Sequence, residues 1–123
     1  MKENLKVSLK HEQFTPWGSY NILQEGENYQ VKRISVQSGQ GIQLQLHQQR
    51  DEHWVVTKGQ GEAQVNEQII YLKSNSHLFV PRLSKHRVFN PHKETLELVL
   101  VQTGNYLNED DIVFFDDETG SHI

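Results

Sequence analysis

The sequence predicts an all-β sandwich or barrel built as a single domain. Alternation of apolar and polar side chains every second residue recurs along the chain, helical periodicity is weak, and turn residues interrupt it at short, regular intervals. Its 123 residues suit one domain around one core. Only 35% of them are apolar. Such a chain has a thin core, or it shares its surface with a partner.

The elements follow in order. Residues 1–13 read as an N-terminal arm, 14–117 as the body and 118–123 as a frayed end. "YQVKRISVQ" (Tyr29 to Gln37) alternates well, and "GIQLQLH" (Gly41 to His47) sets Ile42, Leu44 and Leu46 against Gln43, Gln45 and His47. "HWVVTKG" (His53 to Gly59) is a short apolar strand ended by glycine. "EAQVN" and "QIIYL" flank a turn at Asn66-Glu67, "HLFVP" stops at Pro81, and "HRVFN" and "TLELVLVQTG" complete the set. Turn signals stand at Ser38-Gly39, Gly59-Gln60-Gly61, Ser74-Asn75 and Asn90-Pro91. About eight short strands at even spacing are the pattern of a sandwich or barrel. The apolar insert Ile112 to Phe115, in an otherwise acidic tail, is expected to pack onto the body.

Composition excludes several classes. A formal net charge of -4 and the lack of a strongly basic patch argue against nucleic acid. No apolar run is long enough to span a bilayer, and the N-terminus has no signal-peptide core. With no cysteine there is neither a disulfide nor a thiolate metal site, as a reducing cytosol permits, and the expectation is a cytoplasmic protein.

The stretch "QLQLHQQRDEHWVV" (Gln43 to Val56) packs Gln45, His47, Gln49, Glu52 and His53 into a short space. It is either a polar surface hairpin or a metal site at the rim of a barrel. Alternation points Gln45 and His47 the same way. After a tight turn Glu52, Trp54 and Val56 share a face, with His53 and Val55 opposite. A fourth ligand can come from a distant strand, and His86 opens "HRVFN". Imidazole suits Zn, Ni, Fe or Cu, while oxygen ligands admit Mn or Co.

The spacing resembles the two motifs of the cupin family. Gly39, five residues, Gln45-x-His47, four residues, Glu52, six residues and Gly59 match the first. Asn75, five residues, Pro81, then His86 and Asn90 match the second, with Asn75 and Leu83 standing where that motif has glycine. The resemblance implies a double-stranded β-helix, or jelly-roll barrel. "PWGSY", "VKRISV", "LQLHQQRDEHWVVTKG", "VPRLSKHRVFNP" and "VQTGNYLNEDDIV" narrow it to the type II mannose-6-phosphate isomerase domain, over about residues 14–117. That domain often forms the C-terminal half of bifunctional isomerase/GDP-mannose pyrophosphorylases. The chain matches only that half and is not expected to make GDP-mannose.

What the resemblance implies is a divalent ion, zinc first and Co, Mn, Ni or Fe behind it, held by Gln45, His47, Glu52 and His86. It further implies interconversion of mannose 6-phosphate and fructose 6-phosphate through an enediolate, in nucleotide-sugar and polysaccharide precursor metabolism. Lys85 and Arg50 are its candidate catalytic cations, and Lys32, Arg33 and Arg87 its candidate phosphate ligands. A homodimer is expected, with Phe14, Trp17 and the arm as interface or lid. The departures are Thr15 and Phe114 where the family has arginine, Gln48 and Gln49 where it has histidine, and "ETGS" for its closing Tyr-Gly-Arg. They weaken the phosphate set more than the metal set, because lysine does not replace a bidentate guanidinium. The alternative is a catalytically weakened cupin that binds a sugar or sugar phosphate without turnover.

Overall fold

The computed structural model describes residues 11–116, so most of the predicted arm and the predicted frayed end lie outside the described residues. Its strands are β1 (Gln13–Thr15), β2 (Gly18–Glu25), β3 (Tyr29–Val36), β4 (Gln45–Leu46), β5 (Asp51–Lys58), β6 (Gly61–Val65), β7 (Gln68–Leu72), β8 (His77–Val80), β9 (His86–Phe89), β10 (Leu96–Thr103) and β11 (Val113–Phe114). A six-stranded sheet, β1-β2-β3-β10-β5-β8, faces a five-stranded sheet, β11-β4-β9-β6-β7, and every strand pair among the described residues is antiparallel. No helix among the described residues is long and apolar enough to cross a membrane.

Strict alternation builds the long strands. In β10, Leu96, Leu98, Leu100 and Gln102 are buried, and in β3 so are Gln30, Lys32, Ile34 and Val36. The register lays these faces side by side in rows. Leu96 pairs with Val36; Leu98 lies between Ile34 and Val56; Leu100 lies between Lys32 and Trp54; Gln102 lies between Gln30 and Glu52. The inward face is therefore apolar at one end of the barrel and polar at the other. The apolar rows, with Ala63, Leu72, Val80 and Val88, form the core, and each fully buried Val or Leu contributes about 1.5–3 kcal/mol. The low apolar content thus reflects a core that fills one end only.

The sequence reading misses β1, β2 and β11. In β2 the buried residues are Gly18, Ser19 and Asn21 rather than the apolar ones, and a bulge between Ile22 and Gln24 breaks the two-residue period. β1 is too short to show a period, and it starts inside the predicted arm. The predicted strand Gly41 to His47 shrinks to Gln45–Leu46, because Gly41 makes only an isolated bridge to Phe89. The insert at Ile112 to Phe115 does pack on the body, as β11 beside β4.

Both motif boundaries are turns with positive φ. Gly39 and Gly59 have φ of 78° and 84°. A Cβ at Gly59 would lie 2.4 Å from the Thr95 carbonyl oxygen, so that position requires glycine. Asn75 and Leu83 adopt φ of 75° and 71°, the same conformation without the same residue. Asn90 is fully buried: its Nδ2 donates to Val36 O and Glu94 O, and its Oδ1 accepts from His92 N. It is a clamp on the turn and does not line the cavity.

Candidate metal centre

At the polar end of the barrel lies a cavity of about 200 Å³. Three strands and one turn deliver its ligating groups. Gln45 is paired across strands with His86, so their side chains stand side by side. His47 follows Gln45 by two residues and keeps its inward direction beyond the end of β4. Glu52 enters from β5, on the same face as Trp54.

His47, Glu52 and His86 are all buried, and their ligating atoms lie within 4.8 Å of one another. Nε2 of His47 is 3.3 Å from Glu52 Oε2, and Nε2 of His86 is 4.0 Å from Glu52 Oε1. Ligands about 2 Å from a tetrahedral ion stand roughly 3.3 Å apart, so the cluster needs little adjustment to hold one. Each ligand's remaining polar atom is engaged. Nδ1 of His47 lies 2.7 Å from the Asp111 carbonyl oxygen, and Nδ1 of His86 lies 2.9 Å from that of Ser84. A carbonyl only accepts, so the His86 ring carries its proton on Nδ1 and turns the Nε2 lone pair inward, and the contact at Nδ1 of His47 aims its Nε2 inward too. Trp54 Nε1 donates to Glu52 Oε1 at 2.8 Å and Gln102 Nε2 donates to Oε2 at 2.8 Å. Gln45 Nε2 donates to Gln43 O, which leaves its Oε1 available. These outer contacts are the kind that fix ligand orientation at metal sites.

The electrostatics agree. Burial alone would raise the Glu52 carboxyl, but its contacts with His47, His86 and the Trp54 indole outweigh it and hold the group below the ordinary carboxylate range. Burial lowers the His86 ring below its ordinary value, which favours the neutral form that ligates a metal, and the Glu52 charge offsets this only in part.

The predicted cations divide. Lys32, Arg50 and Arg87 line the cavity. Lys32 Nζ is ion-paired with Glu109 at 3.2 Å, and Arg87 Nε donates to Gln64 Oε1. Arg50 is 2% exposed; it donates to Gln102 Oε1 at 3.3 Å, and its Nη2 lies 3.1 Å from His47 Nδ1. Arg33 and Lys85, also expected at the site, do not line the cavity. Alternation turns Arg33 away from the cavity, where it bonds Asn21 and is ion-paired with Glu97 at 2.9 Å. Lys85 is exposed on the turn before β9, its Nζ 4.4 Å from the centre of the Phe115 ring. The motif aligned Lys85 beside His86, but neighbours in an extended segment point opposite ways. His53 likewise faces out, with its ring against Phe79, as alternation predicts.

Among the departures, Thr15 is occupied structurally: its Oγ1 accepts from Gly18 N at 3.0 Å. Phe114 lines the cavity where the family's arginine is expected, as does Trp17. The sequence reading missed Gln102, Asp111 and the Trp54 indole. Gln102 left a signal, a glutamine that continues the inward face Leu96, Leu98, Leu100.

Two facing antiparallel sheets with a His, Glu, His centre at one end define a cupin. The fold is shared with the cupin domain of Schizosaccharomyces pombe Cnp3 (TM-score 0.68, 17% identity, 70% of this chain and 60% of that one). It is shared too with a mutant of Bacillus subtilis oxalate decarboxylase OxdC (TM-score 0.76, 15% identity, 85% and 30%). Residues 2–117 match the family described as mannose-6-phosphate isomerase C-terminal, and the chain belongs to that family. Mannose-1-phosphate guanylyltransferase ManC of Salmonella typhimurium is 40% identical over 124 residues, 96% of this chain and 26% of that protein. Xanthan biosynthesis protein XanB of Xanthomonas campestris pv. campestris is 44% identical over 107 residues, 87% and 23%. The chain spans about a quarter of the length of these curated relatives.

These relatives overturn the expectation that the chain interconverts mannose 6-phosphate and fructose 6-phosphate. They are named for guanylyl transfer to mannose 1-phosphate and for xanthan biosynthesis, and the matched segment is a minor part of each. The family match establishes an isomerase-like C-terminal domain from an enzyme family, and no isomerase reaction follows from it.

Proposed function

We propose that this chain is a metal-dependent binding cupin. It holds a divalent ion on His47, Glu52 and His86, with Gln45 Oε1 as fourth ligand, and takes a phosphorylated sugar in the cavity without turning it over. Zinc is the first choice, because two imidazoles, a carboxylate and an amide oxygen make a four-coordinate set it accepts. When bound, the ion supplies a Lewis acid for the hydroxyl or carbonyl oxygens of a sugar. Mannose phosphates are the first ligands to test, since a relative is named for one.

The observation that carries the reading is the contrast between the centre and its surroundings. The ligand set is convergent and braced on every side. The groups a reaction would need beside it are otherwise engaged: Glu109, the other carboxylate lining the cavity, is ion-paired with Lys32, and Lys85 lies outside. Binding survives such losses better than catalysis, which needs a free base within reach of the proton it moves.

The test is titration calorimetry of zinc-loaded and metal-stripped protein with mannose 6-phosphate and mannose 1-phosphate, beside a coupled assay for fructose 6-phosphate. Saturable, metal-dependent binding without product is expected. Product formation, or loaded protein that binds neither sugar phosphate, overturns the reading.

A further inference from the structure

We propose that Gln102 is a positioning residue for the metal centre, which Arg50 holds in one amide orientation so that Glu52 keeps a fixed donor. The inference rests on the metal-centre reading above. Gln102 is 2% exposed and ends the inward row of β10, directly paired with Glu52 in β5. Its amide has one possible assignment. Arg50 only donates, so Gln102 Oε1 must face it, at 3.3 Å; the ionised Glu52 only accepts, so Nε2 must face Oε2, at 2.8 Å. A flipped amide would set donor against donor and acceptor against acceptor. Since Trp54 Nε1 holds Oε1, both oxygens of Glu52 carry one fixed donor each. The carboxylate cannot rotate without losing a buried hydrogen bond, and such a loss is costly.

The same bridge explains a buried guanidinium. Arg50 is 2% exposed, and its Nε has no hydrogen-bond partner. A cation left in this state needs a compensating charge nearby. Gln102 links it to Glu52 in a chain of donors and acceptors that all run one way: Arg50 to Gln102 to Glu52. Polarisation along such a chain strengthens each bond. Arg50 therefore reaches the metal carboxylate through Gln102 and takes no part as a ligand.

The test uses the full chain with Co²⁺ as probe, read by competition against a chromophoric chelator and by the visible absorption of the bound ion. Gln102→Leu is expected to weaken Co²⁺ about 10- to 100-fold, the usual loss for an outer partner of a metal ligand, and to shift the visible bands. Arg50→Met is expected to do the same. The double variant is expected to lose little more than either single one, because both remove one chain. If Gln102→Leu does not fold, Gln102→Met supplies the same measurement. Wild-type affinity and bands in the Gln102 variant, or losses that simply add in the double variant, overturn the inference alone. Wild-type protein that binds no Co²⁺ overturns the metal centre and the inference with it.

Discussion

Nδ1 of His47 lies 2.7 Å from the backbone carbonyl oxygen of Asp111, across 64 residues of sequence. The Asp111 carboxylate closes the same junction from the other side. Its Oδ1 accepts from Gln48 N at 2.9 Å and its Oδ2 from Gln49 N at 3.0 Å. One buried residue thus fixes the turn after His47 and the orientation of the His47 ring itself.

Asp111→Ala is therefore expected to leave two backbone amides without partners and to cost about 1–3 kcal/mol of stability. It should also loosen the metal, since His47 sits on the turn that is released. Asp111→Asn keeps one acceptor and is expected to fall between. Urea unfolding of the stripped protein and a Co²⁺ titration check the two parts separately. Unchanged stability in Asp111→Ala would show that the turn holds without its cap.

Leu83 is the one position where a motif departure carries a measurable strain. It adopts φ of 71° where the cupin motif has glycine, and it is 62% exposed, so its side chain gains little from packing. Its backbone N donates to His47 O at 2.8 Å, which keeps the turn in place despite the strain. Leu83→Gly is expected to stabilise the protein by about 1 kcal/mol, the left-handed penalty removed less the entropy glycine adds to the unfolded chain. The urea midpoint checks it. A lower midpoint would mean the exposed leucine is covered by something.

These two residues show what was legible in the sequence and what was not. Local alternation put Gln45 with His47 on one face and Glu52 with Trp54 on one face opposite His53, because a strand's period fixes which residues share a face, while burial shows which face is inward. Resemblance to the cupin motifs marked Asn75 and Leu83 as standing where the family has glycine, and both adopt positive φ. Alternation applied to Lys85 and Arg33 would also have turned them outward. Alignment to a motif put them in the site instead. Asp111 was out of reach, since its partners come from a turn far away in sequence. Gln102 was half legible: its face could be read, but its bond to Glu52 needs the β10–β5 register.

The outward residues make a direct prediction. Lys85→Ala and Arg33→Ala are expected to leave metal and sugar-phosphate affinity within about twofold of wild type, as exposed changes away from a site usually do. Arg33→Ala also removes a half-buried ion pair with Glu97 and should cost at most about 1 kcal/mol of stability. His47→Ala, by contrast, is expected to remove metal binding altogether. Calorimetry on the three variants separates them. A large loss of sugar-phosphate affinity in Lys85→Ala would return that lysine to the site.

Stability of the metal-free protein should depend on pH through His86. Burial is the main cause that lowers its pKa below the ordinary 6.5, with the charge of Glu52 as partial offset. Between the lowered folded value and the unfolded one, the unfolded chain binds the proton and the folded chain does not. Stability is therefore fully present above pH 6.5 and is lost as pH falls below it. Glu52, also lowered, adds a loss of the same sign in the more acidic range below its ordinary 4.5. The urea midpoint of stripped protein is expected to fall steadily from pH 7 to pH 5. His86→Gln removes the titrating group and should flatten that decline while lowering the plateau. With zinc bound, the decline should shift but persist, because protons and metal compete for the same Nε2 atoms. A flat profile in the stripped wild type would mean that His86 takes up its proton inside the folded barrel, and the centre would then be less dry than its burial indicates.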